Sequence, residues 1–302
     1  MTEGETSPVA EPAPGPVTVY HGDNLAAAAQ LPDQSFTLIY LDPPFNTGRQ
    51  QRKQIETASS VIDPATPAPA ESVIWRGFHG REYQKLRGDL RRYDDTFDDY
   101  WGFLVPRLEQ AWRLLAADGT LYLHLDFREA HYAKVLMDAL VGRDRFINEI
   151  IWAYDYGAKT RRRWPPKHDT ILVYVKDPAR YWFNSEQVDR EPYMAPGLVP
   201  KEKAARGKLP TDVWWHTIVP TTGREKTGYP TQKPEGILRR IVQASSRPGD
   251  RVLDLFAGSG TTGAVASALG REAVLVDANP EAIAVMQTRI PHAVVRTMSD
   301  VT

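Results

Sequence analysis

The chain has 302 residues, 42% of them hydrophobic and 25% charged, with a formal net charge of −1. Those proportions suit one elaborated domain or two ordinary ones, and they exclude wholesale disorder and collagen-like structure. The absence of cysteine excludes disulfides, thiolate metal sites and every mechanism with a Cys nucleophile.

Met1–Pro16 is rich in Pro, Ala and Glu and has no apolar period, so a disordered tail over residues 1–16 is expected. It also lacks the basic-then-apolar pattern of a leader, and no apolar run approaches the roughly 18 residues of a spanning helix. No membrane association and a cytoplasmic location are the corresponding expectations. Val17–Tyr20 predicts a first strand and Leu25–Leu31 a short helix. Phe36–Leu41 is a short, nearly continuous apolar run, as suits a strand buried on both faces of a parallel sheet. It ends at Asp42-Pro43-Pro44-Phe45.

The pattern dissolves over residues 46–93, which contain Asp63–Pro69 and many basic residues, so a mobile loop is expected there. Leu104, Leu108, Ala111 and Leu115 then recur at helical spacing up to Asp118-Gly119. Thr120–Leu125 reads as a strand, His131–Leu140 as a helix and Ile147–Ala153 as a strand. Residues 157–222 break this rhythm. They open on Arg161-Arg162-Arg163-Trp164-Pro165-Pro166-Lys167, hold one strand at Thr170–Val175, and are otherwise rich in Pro, Lys and aromatics. The alternation resumes with a helix over Glu235–Ser245, a strand at Val252–Leu255, a helix at Thr262–Leu269 and a strand at Ala273–Val276. Strand–helix alternation predicts an α/β fold with a mostly parallel sheet.

Two motifs carry chemistry. Gly258, Gly260 and Gly263 form a G-x-G-x-x-G between a strand and a helix, and Asp277 ends the next strand. Glycines let backbone approach a ligand, a helix N-terminus offers N–H groups, and the acid can take ribose hydroxyls. Asp254, just upstream, suits a cationic group such as an amino-acid ammonium. Too little chain follows this loop to complete a sheet, so the remaining strands must come from earlier in the sequence. That permuted order argues against a dehydrogenase. The second motif is the Asp42–Phe45 corner, which could hold an exocyclic amine. Asp42 and the Pro43 carbonyl accept its N–H bonds, Pro44 stiffens the turn, and Phe45 offers a stacking face.

With both motifs in this order, the chain resembles the β group of S-adenosylmethionine-dependent DNA amino-methyltransferases, and among them the modification enzymes of restriction systems. His21-Gly22-Asp23 and Tyr229–Pro234 resemble that family's further signatures. The resemblance implies a circularly permuted Rossmann-like, doubly wound fold. Residues 17–156 would form its catalytic half, 157–222 a target-recognition insert and 223–302 its cofactor-binding half. It implies S-adenosylmethionine held by Asp23, Thr231, Gln232, Lys233, Asp254, Phe256, Gly258, Gly260 and Asp277. Asp23 equally suits an N-cap of the following helix, and Lys233 a surface position. The implied partner is double-stranded DNA, gripped by Arg161, Arg162, Arg163, Trp164 and Lys167, although a solvated loop is the plainer reading of that run. A homodimer and a partner restriction nuclease are further family expectations, and no metal is implied. Methyl transfer to the N6 amine of a flipped adenine is expected, with cytosine N4, then RNA or protein, as alternatives. Methylation at cytosine C5 requires a Cys nucleophile and is excluded.

Overall fold

A computed structural model describes residues 12–44, 97–155, 159–220, 223–229 and 231–297. Phe45 and the expected mobile loop 46–93 lie outside the described residues.

The described strands form one nine-stranded sheet in the order β6-β4-β5-β3-β2-β7-β8-β1-β9. They are β1 (Val17–His21), β2 (Phe36–Leu41), β3 (Leu115–Asp126), β4 (Phe146–Ala153), β5 (His168–Val175), β6 (Val213–Trp215), β7 (Arg251–Asp254), β8 (Glu272–Asp277) and β9 (Val294–Thr297). Only the β3–β5 and β4–β5 pairs are antiparallel. All six residues of β2 are buried, because the sheet is covered on both faces. On one face Leu38 and Tyr40 pack with α5 (Glu235–Ser245), α6 (Thr261–Ala268) and α7 (Pro280–Arg289). On the other, Ile39 and Leu41 pack with α1 (Asn24–Gln30), α2 (Phe97–Leu114) and α3 (Ala130–Val141). This is the expected doubly wound fold.

Three expectations change. Gly15 of the supposed tail is buried, its N–H donating to the Ser267 carbonyl at 2.8 Å while its own carbonyl accepts from the Ser267 hydroxyl at 2.6 Å. The chain is therefore docked before residue 17. Leu115 begins β3 rather than ending α2. The pairing with β2 jumps from Phe36↔Leu115 to Leu38↔Thr120, so Asp118-Gly119 lies in a bulge. Finally, residues 157–222, expected as an insert with one strand, contribute two strands to the sheet. β5 pairs with β3 on one side and β4 on the other along its length, and β6 extends β4.

Much of what remains of that segment, which includes the short helix α4 (Lys201–Arg206), packs against α5. Asp189 accepts from Arg239 and Gln243, Glu191 pairs with Arg240, and Arg247 covers the Trp182 ring at 3.9 Å. Tyr174 and Trp214, two of the segment's aromatics, are buried. α7 and β9, which weak periodicity hides, complete the β1 side. Asn279 caps α7 and Pro280 sits in its first turn.

The parallel strands β1, β2, β3, β7 and β8 end at one edge of the sheet. Because β5 is reversed, it begins at that edge and β4 ends there. The loops after β1, β2, β4, β6, β7 and β8 thus converge on one side. β2 and β7 are adjacent, and from them the winding proceeds in opposite directions, which is where open α/β sheets bind ligands.

Candidate active site

A cleft of about 340 Å³ opens at the β2–β7 junction, and Asp23, Asp42, Asp254 and Asp277 all line it. The glycine loop forms one wall. Gly258 and Gly260 have φ of +51° and +73°, a region that an L side chain enters only with strain. A Cβ at Gly258 would stand 3.3 Å from the Tyr229 ring, and one at Gly260 would meet Met286 Cγ at 2.6 Å. Gly263 instead serves packing, since a Cβ there would strike Leu275 at 2.4 Å. α6 starts at this loop without a side-chain cap, leaving N-terminal amides for a ligand.

The carboxylates differ in what they still have to offer. Asp277 accepts from the Gly258 and Asn279 amides, both at 2.8 Å, one on each oxygen. Each oxygen keeps an acceptor site for vicinal hydroxyls. Asp23 caps α1 through the Leu25 and Ala26 amides at 3.0 Å and also receives Arg107 at 3.1 Å. The capping reading is therefore right, and only limited capacity on Oδ2 remains for a ligand. Asp254 is 2% exposed and accepts from the Thr262 hydroxyl at 2.6 Å and the Phe256 amide at 2.9 Å. Burial pushes its pKa up to about 7 against the opposing pull of those two hydrogen bonds, while Asp42 and Asp277 raise it further.

Asp42, at the exit of β2, is held by Lys233, whose ammonium donates to Oδ2 at 2.5 Å. Lys233 is buried, so it is not a surface residue. Its carbonyl is tied to α6 by the Thr261 hydroxyl. Asp42 Oδ1 is buried and has no hydrogen-bond partner among the described residues. A buried, unsatisfied carboxylate oxygen in a cleft calls for a donor. Beside it, the Tyr40 hydroxyl meets His124 Nδ1 at 2.7 Å, His124 Nε2 meets Asp169 at 3.3 Å, and the Tyr154 hydroxyl donates to Asp169 at 3.1 Å. Burial alone would raise the Asp169 pKa, but the His124 contact, Lys233 and Tyr154 bring it below the usual range. Burial raises Tyr40 well above its ordinary value, with Asp42 adding to the effect. Tyr40 therefore keeps its hydroxyl proton beside His124.

A second cleft of about 480 Å³ adjoins the first, sharing Tyr229, Thr231 and Lys233 and adding Trp152, Tyr154, Pro166 and Asp169. Thr231, between them, has φ of +60°, strain that a β-branched residue bears only where its surroundings impose it.

The sequence matches the family model described as DNA methylase, the N6/N4 methyltransferases, over residues 36–288. The chain belongs to this family. It is 31% identical over 274 residues to the DNA adenine methyltransferase YhdJ of Escherichia coli K12, covering 88% of this chain and 80% of that protein. It is 29% identical over 268 residues to the type II methyltransferase M.HpaI of Haemophilus parainfluenzae, covering 88% and 71%. Among solved structures, the PvuII cytosine-N4-specific DNA methyltransferase shares the fold with a TM-score of 0.61 at 15% identity, over 92% of this chain and 87% of that one. A DNA modification methylase of Thermus thermophilus, solved with S-adenosyl-L-methionine, gives 0.57 at 18% identity, over 93% and 97%. The family uses S-adenosylmethionine as methyl donor, and the cleft fits it. Among the described residues Asp254 and Asp277 have no cationic partner, and together with the glycine cradle they suit a cation that carries a ribose.

In this DNA methyltransferase most expected cofactor residues line the first cleft: Asp23, Thr231, Lys233, Asp254, Phe256, Gly258 and Asp277. Gly260 shapes the turn from behind, against Met286. Gln232 does not line it. Its amide oxygen accepts from both the amide and the hydroxyl of Thr227, and its Nε2 donates to the Glu225 carbonyl at 2.6 Å. Gln232 instead organises the 225–232 loop. Pro43 is buried and Pro44 lines the cleft. Sequence reasoning gives no role to Tyr40, Asn24, Phe103 and Arg107, and no spacing signal marks them. Arg107 Nε donates to Asn24 at 2.5 Å, and Asn24 in turn donates to the Leu255 carbonyl at 2.9 Å, joining the two halves of the cleft. Arg161, Arg162, Arg163 and Trp164 are exposed between β4 and β5, ahead of Pro166, which lines the second cleft. Lys167 turns back to the Asp155 carbonyl at 2.8 Å and fastens that loop. Among the described residues no helix is long and apolar enough to cross a membrane.

Proposed function

We propose that the methyltransferase transfers its methyl group to the N6 amine of an adenine flipped out of double-stranded DNA. The observation that carries this reading is the unpartnered, buried Asp42 Oδ1 beside an oxygen already paired with Lys233. When bound, S-adenosylmethionine supplies an electrophilic methyl group on a sulfonium. The chain's own work is to orient and activate the amine. Asp42 Oδ1 and the Pro43 carbonyl accept its two N–H bonds, which draws electron density toward the nitrogen. Lys233 fixes the carboxylate and compensates its charge. Asp254 faces the cofactor's ammonium and Asp277 its ribose, while Thr231 and Phe256 line the walls.

The amine must first leave the duplex, since neither cleft admits stacked DNA, and flipping costs a few kcal/mol. The second cleft, walled by Trp152 and Tyr154, is the space for the base, and Arg161, Arg162 and Arg163 supply phosphate contacts. Adenine is favoured over cytosine because the motif opens on an acid at Asp42 and because the E. coli relative carries the name of an adenine enzyme. The type II name of the Haemophilus relative supports a cognate nuclease as partner.

Nucleoside mass spectrometry of DNA incubated with the enzyme and labelled cofactor tests the reading. N6-methyladenine is expected from the wild type and none from Asp42→Ala, assayed folded and at saturating cofactor because that variant also strands the buried Lys233 ammonium. N4-methylcytosine as sole product would refute the base assignment, and an active Asp42→Ala would refute the mechanism.

A further inference from the structure

Trp164 is 94% exposed, more than any other described tryptophan. A bare indole contributes nothing to the core and is free to meet a ligand. Its loop is not loose at the base: the Tyr154 amide donates to the Lys167 carbonyl at 3.0 Å and Lys167 Nζ to the Asp155 carbonyl at 2.8 Å. Pro165 and Pro166 follow it directly and fix two successive φ angles, so the ring is presented by a stiff stem. Arg161, Arg162 and Arg163 precede it, all exposed. Pro166, two residues on, lines the second cleft with Asp169 and Lys233, and Lys233 holds Asp42. A large flat apolar ring, preceded by three cations, is therefore presented two residues from a wall of the space assigned to the flipped base.

We propose that Trp164 enters the DNA stack and fills the gap the target base leaves. The proposal rests on the base-flipping reading above. Withdrawing a base forfeits its stacking, and stacking of an aromatic side chain on the remaining bases returns a comparable amount. Wedges of this kind elsewhere are apolar side chains inserted between base steps. Trp164 thus acts as a positioning residue: it holds the flipped state open and does not touch the transferring methyl group.

The test uses the full-length enzyme and single-turnover methylation with labelled cofactor, on two duplexes containing the site mapped by methylome sequencing. In one duplex the target adenine is paired; in the other an abasic position opposes it, so less unstacking and unpairing remains to be overcome. Trp164→Ala should slow the paired substrate by about fivefold to 150-fold, the range to which base–aromatic stacking of about 1–3 kcal/mol converts. On the abasic duplex its rate should approach that of the wild type, and Trp164→Phe should recover part of the loss. Trp215→Ala, which removes an indole that is 72% exposed on the edge strand β6, should behave as wild type on both. Equal slowing of Trp164→Ala on the two duplexes, or wild-type rates on both, overturns the proposal. A wild-type enzyme that methylates neither duplex points instead to failure of the underlying functional reading.

Discussion

Replacing Asp254 by Asn should trade cofactor affinity for stability, with opposite pH dependences in the two measurements. A carboxyl whose pKa climbs from 3.8 to about 7 on folding costs the folded state about 4 kcal/mol once both states are ionised. The sign follows from proton counting. Below about pH 4 both states hold the proton and the cost is absent. From about pH 4 to 7 the unfolded chain ionises first, so stability falls as pH rises. Above about 7 the penalty is complete and flat. Asn can still accept from the Phe256 amide or Thr262, and it carries no charge. The variant should therefore melt higher than wild type at about pH 8 and close to it at about pH 4.

Cofactor binding should run the other way. The ligand's ammonium keeps its proton below about 7.7 and favours ionised Asp254, so wild-type affinity should weaken about tenfold per pH unit below about 7. Asp254→Asn loses a charge-assisted hydrogen bond of about 1.5–3 kcal/mol. At about pH 7.5 it should bind about 10- to 150-fold more weakly, and at about pH 5 it should approach wild type, because both side chains are then neutral. Titration calorimetry across this range decides the matter. Wild-type affinity that stays flat across the acid limb, or an Asn variant that binds normally on the alkaline side, would refute the assignment.

Lys233→Met should strand a buried carboxylate and destabilise the fold by about 3–5 kcal/mol. Adding Asp42→Asn should restore the melting temperature but not the activity; a single variant of wild-type stability would show that the pair is solvated. Gly260→Ala should lose about 1–2 kcal/mol from the left-handed backbone alone, and more from the Met286 contact, as read by urea denaturation. A wild-type midpoint would contradict the +73° turn. Neutralising Arg161, Arg162 and Arg163 together should weaken DNA binding and flatten log affinity against log salt by about 0.9 per lost phosphate contact. An unchanged slope would make the run a solvated loop.

Strands with a strong local signal are legible in the sequence. Phe36–Leu41 announces a strand buried on both faces because neither face tolerates a charged residue, and its exit places Asp42 at the ligand edge. The glycine loop is legible because φ above zero and close packing on Leu275 leave few substitutes for Gly258, Gly260 and Gly263. Direction and neighbours are not written this way. The apolar run at Thr170–Val175 marks a strand, yet nothing local says that it inserts antiparallel between β3 and β4. The odd composition of residues 157–222 suggests an insert for that reason, although part of the segment builds the sheet. Its aromatic residues mislead similarly, since Trp214 is core and Trp164 is bare for reasons that composition does not carry.

The site's electrostatics show the same limit in its sharpest form. Four aspartates in the sequence end up around one cleft, and spacing alone does not say which of them the protein's own cations take. Tertiary contacts divide them. Arg107 takes Asp23, and Lys233, 191 residues away from Asp42, takes that carboxylate. Both cations lie on elements that no motif links to their partners. Each pair leaves an acceptor of set direction, Asp42 Oδ1 being the clearest, while Asp254 and Asp277 remain for the ligand. A cleft with all four acids uncompensated would disfavour ionisation throughout and blunt its own attraction for a cation. Pairing two of them with buried cations holds Asp42 ready for the amine and leaves Asp254 close enough to neutrality that a bound ammonium can tip it.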